Sequence, residues 1–264
     1  MLCRRRLAVD LAPRAAGESA QPRRSPDRSP HRPGGTRTSV GAAAWAIVPA
    51  TLLCAAVAGG CAGRSDTLPQ HYADPTAMIE VFEDPARDSW QLPDRVIRAL
   101  PIPSNAATIA DIGAGSGYFT RRLAREVPGG KVYAVDVDDR FQRYLIEQRE
   151  AWGTPNIEPH LAHYEDPLLP SAEIDLVFTC NTYPYIRERV AYFRKVRDAL
   201  RPGGALVVIH YRPDATPPDD SAPEPKFRID EPTTLAELEA AGFVLDRQET
   251  FLPHQYLFVF RPAP

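Results

Sequence analysis

The chain reads as an α/β protein, with a mostly parallel sheet covered by helices on both faces. Three observations in the sequence predict this. From residue 105 onward, short apolar runs alternate with longer helical periods, the pattern of repeated strand–helix–strand units. A glycine cluster, Gly113-Ala114-Gly115-Ser116-Gly117, stands at the first strand-to-helix turn. The last two strand-like runs are joined by the short loop Thr250–His254 with no helix between, which predicts an antiparallel hairpin at one edge.

The elements follow in order. Ala86–Leu100 reads as a helix laid over the sheet. Thr108–Ile112 is the first strand and Tyr118–Val127 the helix after it. Lys131–Val135 is the second strand, followed by a helix over Asp138–Ala151. Ile157–Leu161 is a weak third strand and Ile174–Thr179 a fourth. A helix over Ile186–Leu200 is terminated by Pro202-Gly203-Gly204, and Ala205–Tyr211 is the fifth strand. Thr234–Ala241 reads as a helix stopped by Gly242, and Phe243–Glu249 and Gln255–Phe260 form the hairpin.

Charge divides the chain. Residues 1–40 carry nine Arg and three acids, whereas residues 66–264 carry 21 basic and 31 acidic residues. An acidic folded part repels a phosphate backbone, which argues against nucleic acid as a partner. Of the four cysteines, Cys3, Cys54, Cys61 and Cys180, one falls in the folded region, so no disulfide framework or zinc cluster is expected there. No metal site is expected.

The N-terminal part reads as a leader. Residues 1–40, rich in Arg, Pro, Ser and Gly, are expected to be disordered or to lie upstream of the true start. Residues 41–61 hold an uncharged, Ala-rich run ending in Val57-Ala58-Gly59-Gly60-Cys61, as in a secretory or lipoprotein signal or an uncleaved anchor. A lipidated Cys61 makes this an exported, membrane-associated protein; a spurious leader leaves it in the cytoplasm. Residues 62–75 are a linker, and 76–264 the functional domain.

The glycine loop is the first candidate binding element. Glycines at a strand-to-helix turn permit unusual dihedrals and close approach of a ligand to the backbone. The spacing is G-x-G-x-G, and the dinucleotide fingerprint wants its third glycine where Tyr118 stands. Asp111, two residues ahead of Gly113, suits a cofactor with an ammonium group. A second acid, Asp136, ends the next strand 23 residues after Gly113, where a carboxylate accepts from ribose hydroxyls. Nicotinamide dinucleotides and S-adenosylmethionine share that demand. Short-chain dehydrogenase chemistry is disfavoured, because Tyr183 and Tyr185 have Arg187 and Arg189 where a lysine is needed.

With Asp111–Gly117, Asp136 and the junction Leu200-Arg201-Pro202-Gly203-Gly204, residues 75–262 resemble the class I S-adenosylmethionine-dependent methyltransferases. Within that class the likeness is to small ubiquinone/menaquinone-methyltransferase-like enzymes of bacteria. The resemblance implies a Rossmann-like, seven-stranded sheet with an antiparallel last strand. It implies that Gly113, Gly115 and Gly117 lie against the methionine and ribose, that Asp111 faces the amino group and Asp136 the ribose hydroxyls. Val137 packs on the adenine. His163 stands where the family often has an acid for the adenine amine, with the Tyr164 backbone as an alternative donor. Asn181, after the fourth strand, borders the same crevice.

The acceptor side has less to guide it. Related sequences tend to carry two histidines where Pro184 and Tyr185 stand here, and the Asn-Pro-Pro-Tyr motif is absent. Tyr183, His210, Tyr211 and His254 are the candidates for positioning or deprotonating an acceptor, with core packing as the competing role for each. The expected activity is methyl transfer to a small-molecule or lipid-soluble acceptor by in-line displacement. The alternatives are a membrane-tethered cofactor-binding or scaffold protein without turnover, and a nicotinamide oxidoreductase.

Overall fold

A computed structural model describes residues 74–217 and 222–264. The leader, the signal or anchor segment with Cys61, and the linker up to residue 73 lie outside the described residues. Among those described, no helix is long and apolar enough to cross a membrane.

Three short helices come first: α1 (Pro75–Phe82), α2 (Asp88–Gln91) and α3 (Pro93–Ala99), with a 3₁₀ turn over Pro85–Arg87. The alternating core follows as β1 (Thr108–Ile112), α4 (Thr120–Glu126), β2 (Lys131–Asp136), α5 (Asp139–Ala151), β3 (Ile157–Leu161) and β4 (Ile174–Cys180). A 3₁₀ turn over Tyr183–Tyr185 leads to α6 (Arg189–Ala199) and β5 (Leu200–Tyr211), then α7 (Glu231–Ala240), β6 (Phe243–Glu249) and β7 (Gln255–Pro262). The seven strands are ordered β3-β2-β1-β4-β5-β7-β6. Every pairing is parallel except those of β7, which runs antiparallel to both β5 and β6.

The expected hairpin is present, and its second strand lies inside the sheet. Residues 255–260 of β7 are all buried, whereas β6 buries Phe243 and exposes Val244, Leu245 and Asp246 along the edge. A continuous apolar run fits a strand covered on both faces; a charged, alternating one fits an edge.

Strand alternation divides the core into two clusters. Ile109, Val132, Leu176, Phe178, Val207 and Ile209 pack with Val96 of α3, Leu123 of α4 and Leu145 of α5. Their neighbours Ala110, Tyr133, Val177, Leu206 and Val208 pack with Phe193 and Val196 of α6 and Leu238 of α7. Each face of the sheet therefore has its own helical layer.

The main departure from the sequence reading is at Ala86–Leu100, which is not one helix. Pro93 disfavours the α region for the residue before it, and Leu92 takes a left-handed conformation with φ +48°. The chain turns there, ending α2 and starting α3 at the same residue, while Asp88 of α2 reaches Tyr118 and Arg122. Likewise α6 starts at Arg189, three residues after Ile186, because Tyr183–Tyr185 form a 3₁₀ turn and Glu188 sits at φ +46°.

His210, on β5, carries a stability prediction. It is fully buried beside Tyr256 and Tyr211, and neither ring nitrogen has a hydrogen-bond partner. Burial, helped by the fields of Arg228 and Arg189, lowers its pKa to about 3, so it folds as the neutral ring. Below about pH 6.5 the unfolded chain takes up a proton that the folded state refuses until about pH 3. Stability contributed by the neutral ring is thus lost as pH falls through that window, at no more than ~1.4 kcal/mol per pH unit. His210→Leu is expected to raise the thermal midpoint at pH 7 and to flatten the acid limb of the stability curve. A midpoint lowered at both pH 7 and pH 5 counts against this account.

Candidate active site

β1 and β2 end side by side, and the glycine loop passes between their ends and α4. Gly113 and Ala114 both donate to the Val135 carbonyl, at 2.8 and 3.0 Å, extending the β1–β2 pairing past the last strand residue. Gly113, Gly115 and Gly117 have φ of +78°, +52° and +84°. A Cβ on Gly113 lies 2.0 Å from Thr182 Oγ1, and one on Gly115 lies 3.5 Å from the Phe82 ring. The loop is therefore tight against the β4 side at Gly113 and covered by the N-terminal segment at Gly115.

Asp136 fixes the loop from below. Its Oδ2 accepts the Gly115 N–H at 2.8 Å and its Oδ1 the Asp138 N–H at 3.0 Å. Burial raises its pKa, and these backbone N–H bonds oppose that. Asp111 is 3% exposed, with Oδ2 accepting from the Thr120 hydroxyl at 2.6 Å. Desolvation pushes its carboxyl up to about 7; the Thr120 bond opposes the shift, Asp136 adds to it and Arg87 reduces it.

These groups line a cleft of about 1250 Å³, counted out to its open mouth. Eight of the nine cofactor positions proposed from sequence border it: Asp111, Gly113, Gly115, Asp136, Val137, His163, Tyr164 and Asn181. Gly117 does not. A Cβ there meets Leu145 Cδ2 at 2.6 Å and the Trp152 ring at 3.1 Å, so this glycine lets the loop pack on α5.

The four acceptor-side candidates lie elsewhere. The Tyr183 hydroxyl donates to Glu237 Oε2 at 2.7 Å, in a cluster closed by Arg189, and its ring stacks on Phe193 of α6. His210 shares the parity of Leu206 and Val208 and so faces the α6–α7 layer. Tyr211 is buried against Trp90, which also meets the His254 ring edge-on at 6.2 Å. Strand ends select the correct end of the sheet, but His210 takes the α6–α7 face, the 3₁₀ turn carries Tyr183 to Glu237, and Tyr211 and His254 pack on Trp90, so none of the four lines the cleft.

In their place the wall holds Cys180, Asn181, Thr182, Tyr185, Ile186 and Tyr192. Asn181, at φ +62°, accepts from Gln255 Nε2 at 2.7 Å; Gln255 in turn accepts from Gln91 of α2 at 2.8 Å. Burial pushes the Cys180 thiol up to about 12, so it is a neutral wall group and no thiolate nucleophile. Phe82 and Arg87 reach in from the N-terminal segment. That segment is tied to the loop and α4: Glu83 accepts from Ser116 at 2.6 Å and pairs with Arg121, and Asp88 bonds Tyr118 and Arg122. Neither Phe82 nor Arg87 belongs to a motif, and Arg makes up 28 of the 31 basic residues, so nothing in the sequence marks Arg87. Among the described residues no group of His, Cys, Asp or Glu is arranged to hold a metal ion.

The sheet order and the glycine loop give the Rossmann-like arrangement shared with solved methyltransferase structures. Residues 109–204 match the family described as a methyltransferase domain, which runs from β1 into β5. Among curated proteins the chain is similar to trans-aconitate 2-methyltransferase of Afipia carboxidovorans, with 30% identity over 131 residues, 48% of this chain and 46% of that protein. It is also similar to malonyl-[acyl-carrier protein] O-methyltransferase of Hahella chejuensis, with 29% identity over 105 residues, 38% of this chain and 34% of that protein. The chain thus spans about half the length, or less, of the curated relatives it matches. Among solved structures, a SAM-dependent methyltransferase from Aquifex aeolicus superposes with a TM-score of 0.65 at 24% identity, covering 72% of this chain and 98% of that one. Mitomycin 7-O-methyltransferase gives 0.57 at 19% identity, over 72% and 59%. These two structures share the fold.

Proposed function

We propose that this protein is an S-adenosylmethionine-dependent methyltransferase acting on a small-molecule acceptor. The observation that carries the reading is a pair of acids, the buried Asp111 and the half-buried Asp136, at the ends of adjacent strands beside a positive-φ glycine loop. The donor set fits the cofactor's chemistry. Asp111 accepts one hydroxyl from the protein and retains acceptor capacity for an ammonium group. Asp136, which accepts the backbone N–H groups of Gly115, Val137 and Asp138, borders the cleft with acceptor capacity left for a ribose hydroxyl. The apolar edge for a base is supplied by Val137 and Phe141.

When bound, the cofactor supplies a methyl group on a positively charged sulfur, transferred in line to a nucleophile. The chain's own residues position and enclose. Asp111 and the loop hold the amino-acid end, while Asp136 holds the sugar. The Cys180–Asn181–Tyr185 wall faces the acceptor, and the Phe82–Arg87 segment keeps water out. Alignment of this kind contributes much of the acceleration in a displacement that needs little proton transfer. Among the described residues lining the cleft, His163 is the one histidine. A relative whose name specifies trans-aconitate methylation supports a small-molecule acceptor.

Calorimetric titration with S-adenosylhomocysteine tests the assignment. Asp136→Ala is expected to weaken binding by roughly 10- to 150-fold, equivalent to about 1.5–3 kcal/mol for a charged hydrogen bond. Binding of a nicotinamide dinucleotide in preference, or unchanged affinity in the folded variant, overturns it. Turnover on an acceptor panel separates an enzyme from a cofactor-binding scaffold.

A further inference from the structure

Arg87 is a cation in the cleft wall that the methyltransferase reading leaves without a partner of opposite charge. It is 9% exposed. Nη1 donates to the Phe82 carbonyl at 3.0 Å and Nη2 to Gln91 Oε1 at 3.4 Å, while its guanidinium carbon lies 3.8 Å from the Tyr118 ring centroid. Its Nε is buried and has no hydrogen-bond partner. The groups that touch it are a carbonyl, an amide, an aromatic face and the Cys180 thiol, all neutral. Asp111 feels its charge but takes its hydrogen bond from Thr120.

A desolvated guanidinium facing neutral groups is costly unless an anion completes the pair. The side chain is also held in place. Pro85 begins the turn that carries it, Tyr118 lies beneath it, and Gln91 is locked through Gln255 to Asn181. A fixed planar fork of donors suits a carboxylate. Position indicates which one. The acids Asp111, Asp136 and Asp138 border the cleft at the ends of β1 and β2, around the glycine loop. Arg87 enters from the N-terminal segment, lies over the Tyr118 ring and meets the end of β4 at Cys180. The cofactor's sulfonium, ammonium and carboxylate sum to one positive charge, which favours an anion on the acceptor.

We propose that Arg87 is the acceptor-specificity residue, binding a carboxylate of a small organic acid through its guanidinium group where it borders the cleft. This rests on the methyltransferase reading and adds to it the chemical class of the acceptor.

The test uses the full chain saturated with S-adenosylhomocysteine and titrated with glutarate and tricarballylate, each against its neutral amide. The wild type is expected to prefer at least one acid over its amide by tenfold or more. Arg87→Gln is expected to lose that preference, and Arg87→Lys to keep part of it, since charge remains and the fork does not. Both variants are expected to hold S-adenosylhomocysteine within twofold of wild type, which also shows that they fold. The proposal fails if acids bind no better than amides, or if Arg87→Gln keeps the preference. A tenfold loss of S-adenosylhomocysteine affinity in both variants also overturns it, because Arg87 then serves the cofactor's own carboxylate. A wild type that does not bind S-adenosylhomocysteine in the first titration, before any acid is added, overturns the methyltransferase reading and this one with it.

Discussion

A Gly113→Val variant is expected to lose S-adenosylhomocysteine binding by at least 100-fold and to unfold at a markedly lower temperature. Two independent costs meet at this position. Its φ of +78° is a conformation that a β-branched residue adopts at a cost of roughly 1–2 kcal/mol. The added Cβ lies 2.0 Å from Thr182 Oγ1, 2.5 Å from its Cγ2 and 2.7 Å from its Cβ, so rotating the threonine side chain does not clear the overlap. Overpacking of this kind costs typically another ~1–3 kcal/mol. Gly113 cannot retreat without breaking its bond to the Val135 carbonyl at 2.8 Å, and Thr182 cannot without moving the β4 wall. Either displacement reshapes the cleft. Gly153→Ala is the control: φ there is +67°, but nothing lies within 4 Å of the new Cβ. It is expected to cost ~1 kcal/mol from backbone strain and to leave ligand affinity unchanged. Calorimetric titration and thermal unfolding of the two variants check this, and near-wild-type affinity in Gly113→Val removes the loop from the binding site.

The contrast between those glycines shows what the sequence could and could not convey. The strands were legible because interior strands of a covered sheet are apolar on both faces, and Val132–Val135 and Leu206–Ile209 read that way without context. The loop and the acids Asp111 and Asp136 were legible because unusual dihedrals and strand-end carboxylates leave local signatures. Gly117 looked like its neighbours, yet it answers to Leu145 and Trp152, side chains brought close only by the packing of α5. Tyr183 and His210 were placed at the correct sheet end. Which face a residue takes once a strand gives way to a turn depends on the 3₁₀ segment at Tyr183–Tyr185 and on Asn181 at φ +62°. The N-terminal segment was the least legible part. Arg87 and Phe82 reach the cleft because Pro93 turns the chain at Leu92 and Glu83 and Asp88 anchor it to α4, a tertiary arrangement with no periodic signal.

Affinity for S-adenosylhomocysteine is expected to rise about tenfold per pH unit between pH 5 and pH 7, and then to level off, with Asp111 as the cause. Burial raises this carboxyl to about 7, so below that pH it is held protonated in the free protein. A bound ammonium group needs the anion, and binding at pH 5 must expel the proton first; the total loss from pH 7 to pH 5 is therefore about 100-fold. Asp111→Asn keeps the shape and the Thr120 contact but has no proton to lose. It is expected to bind weakly at pH 7, by a factor similar to that seen for wild type at pH 5, and to show no slope between. The same shift acts on stability with the opposite sign to His210. Between about pH 4 and pH 7 the folded state holds the Asp111 proton that the unfolded chain has released, so this group's contribution falls as pH rises through that window. His210 contributes more as pH rises over nearly the same range. The two slopes offset each other in the wild type, which makes its stability a poor reporter of either. Measured singly, Asp111→Asn is expected to become more stable relative to wild type as pH rises towards 7, and His210→Leu as pH falls towards 4. A wild-type affinity flat from pH 5 to pH 7, or a slope retained in Asp111→Asn, removes Asp111 from contact with the cofactor's amino group.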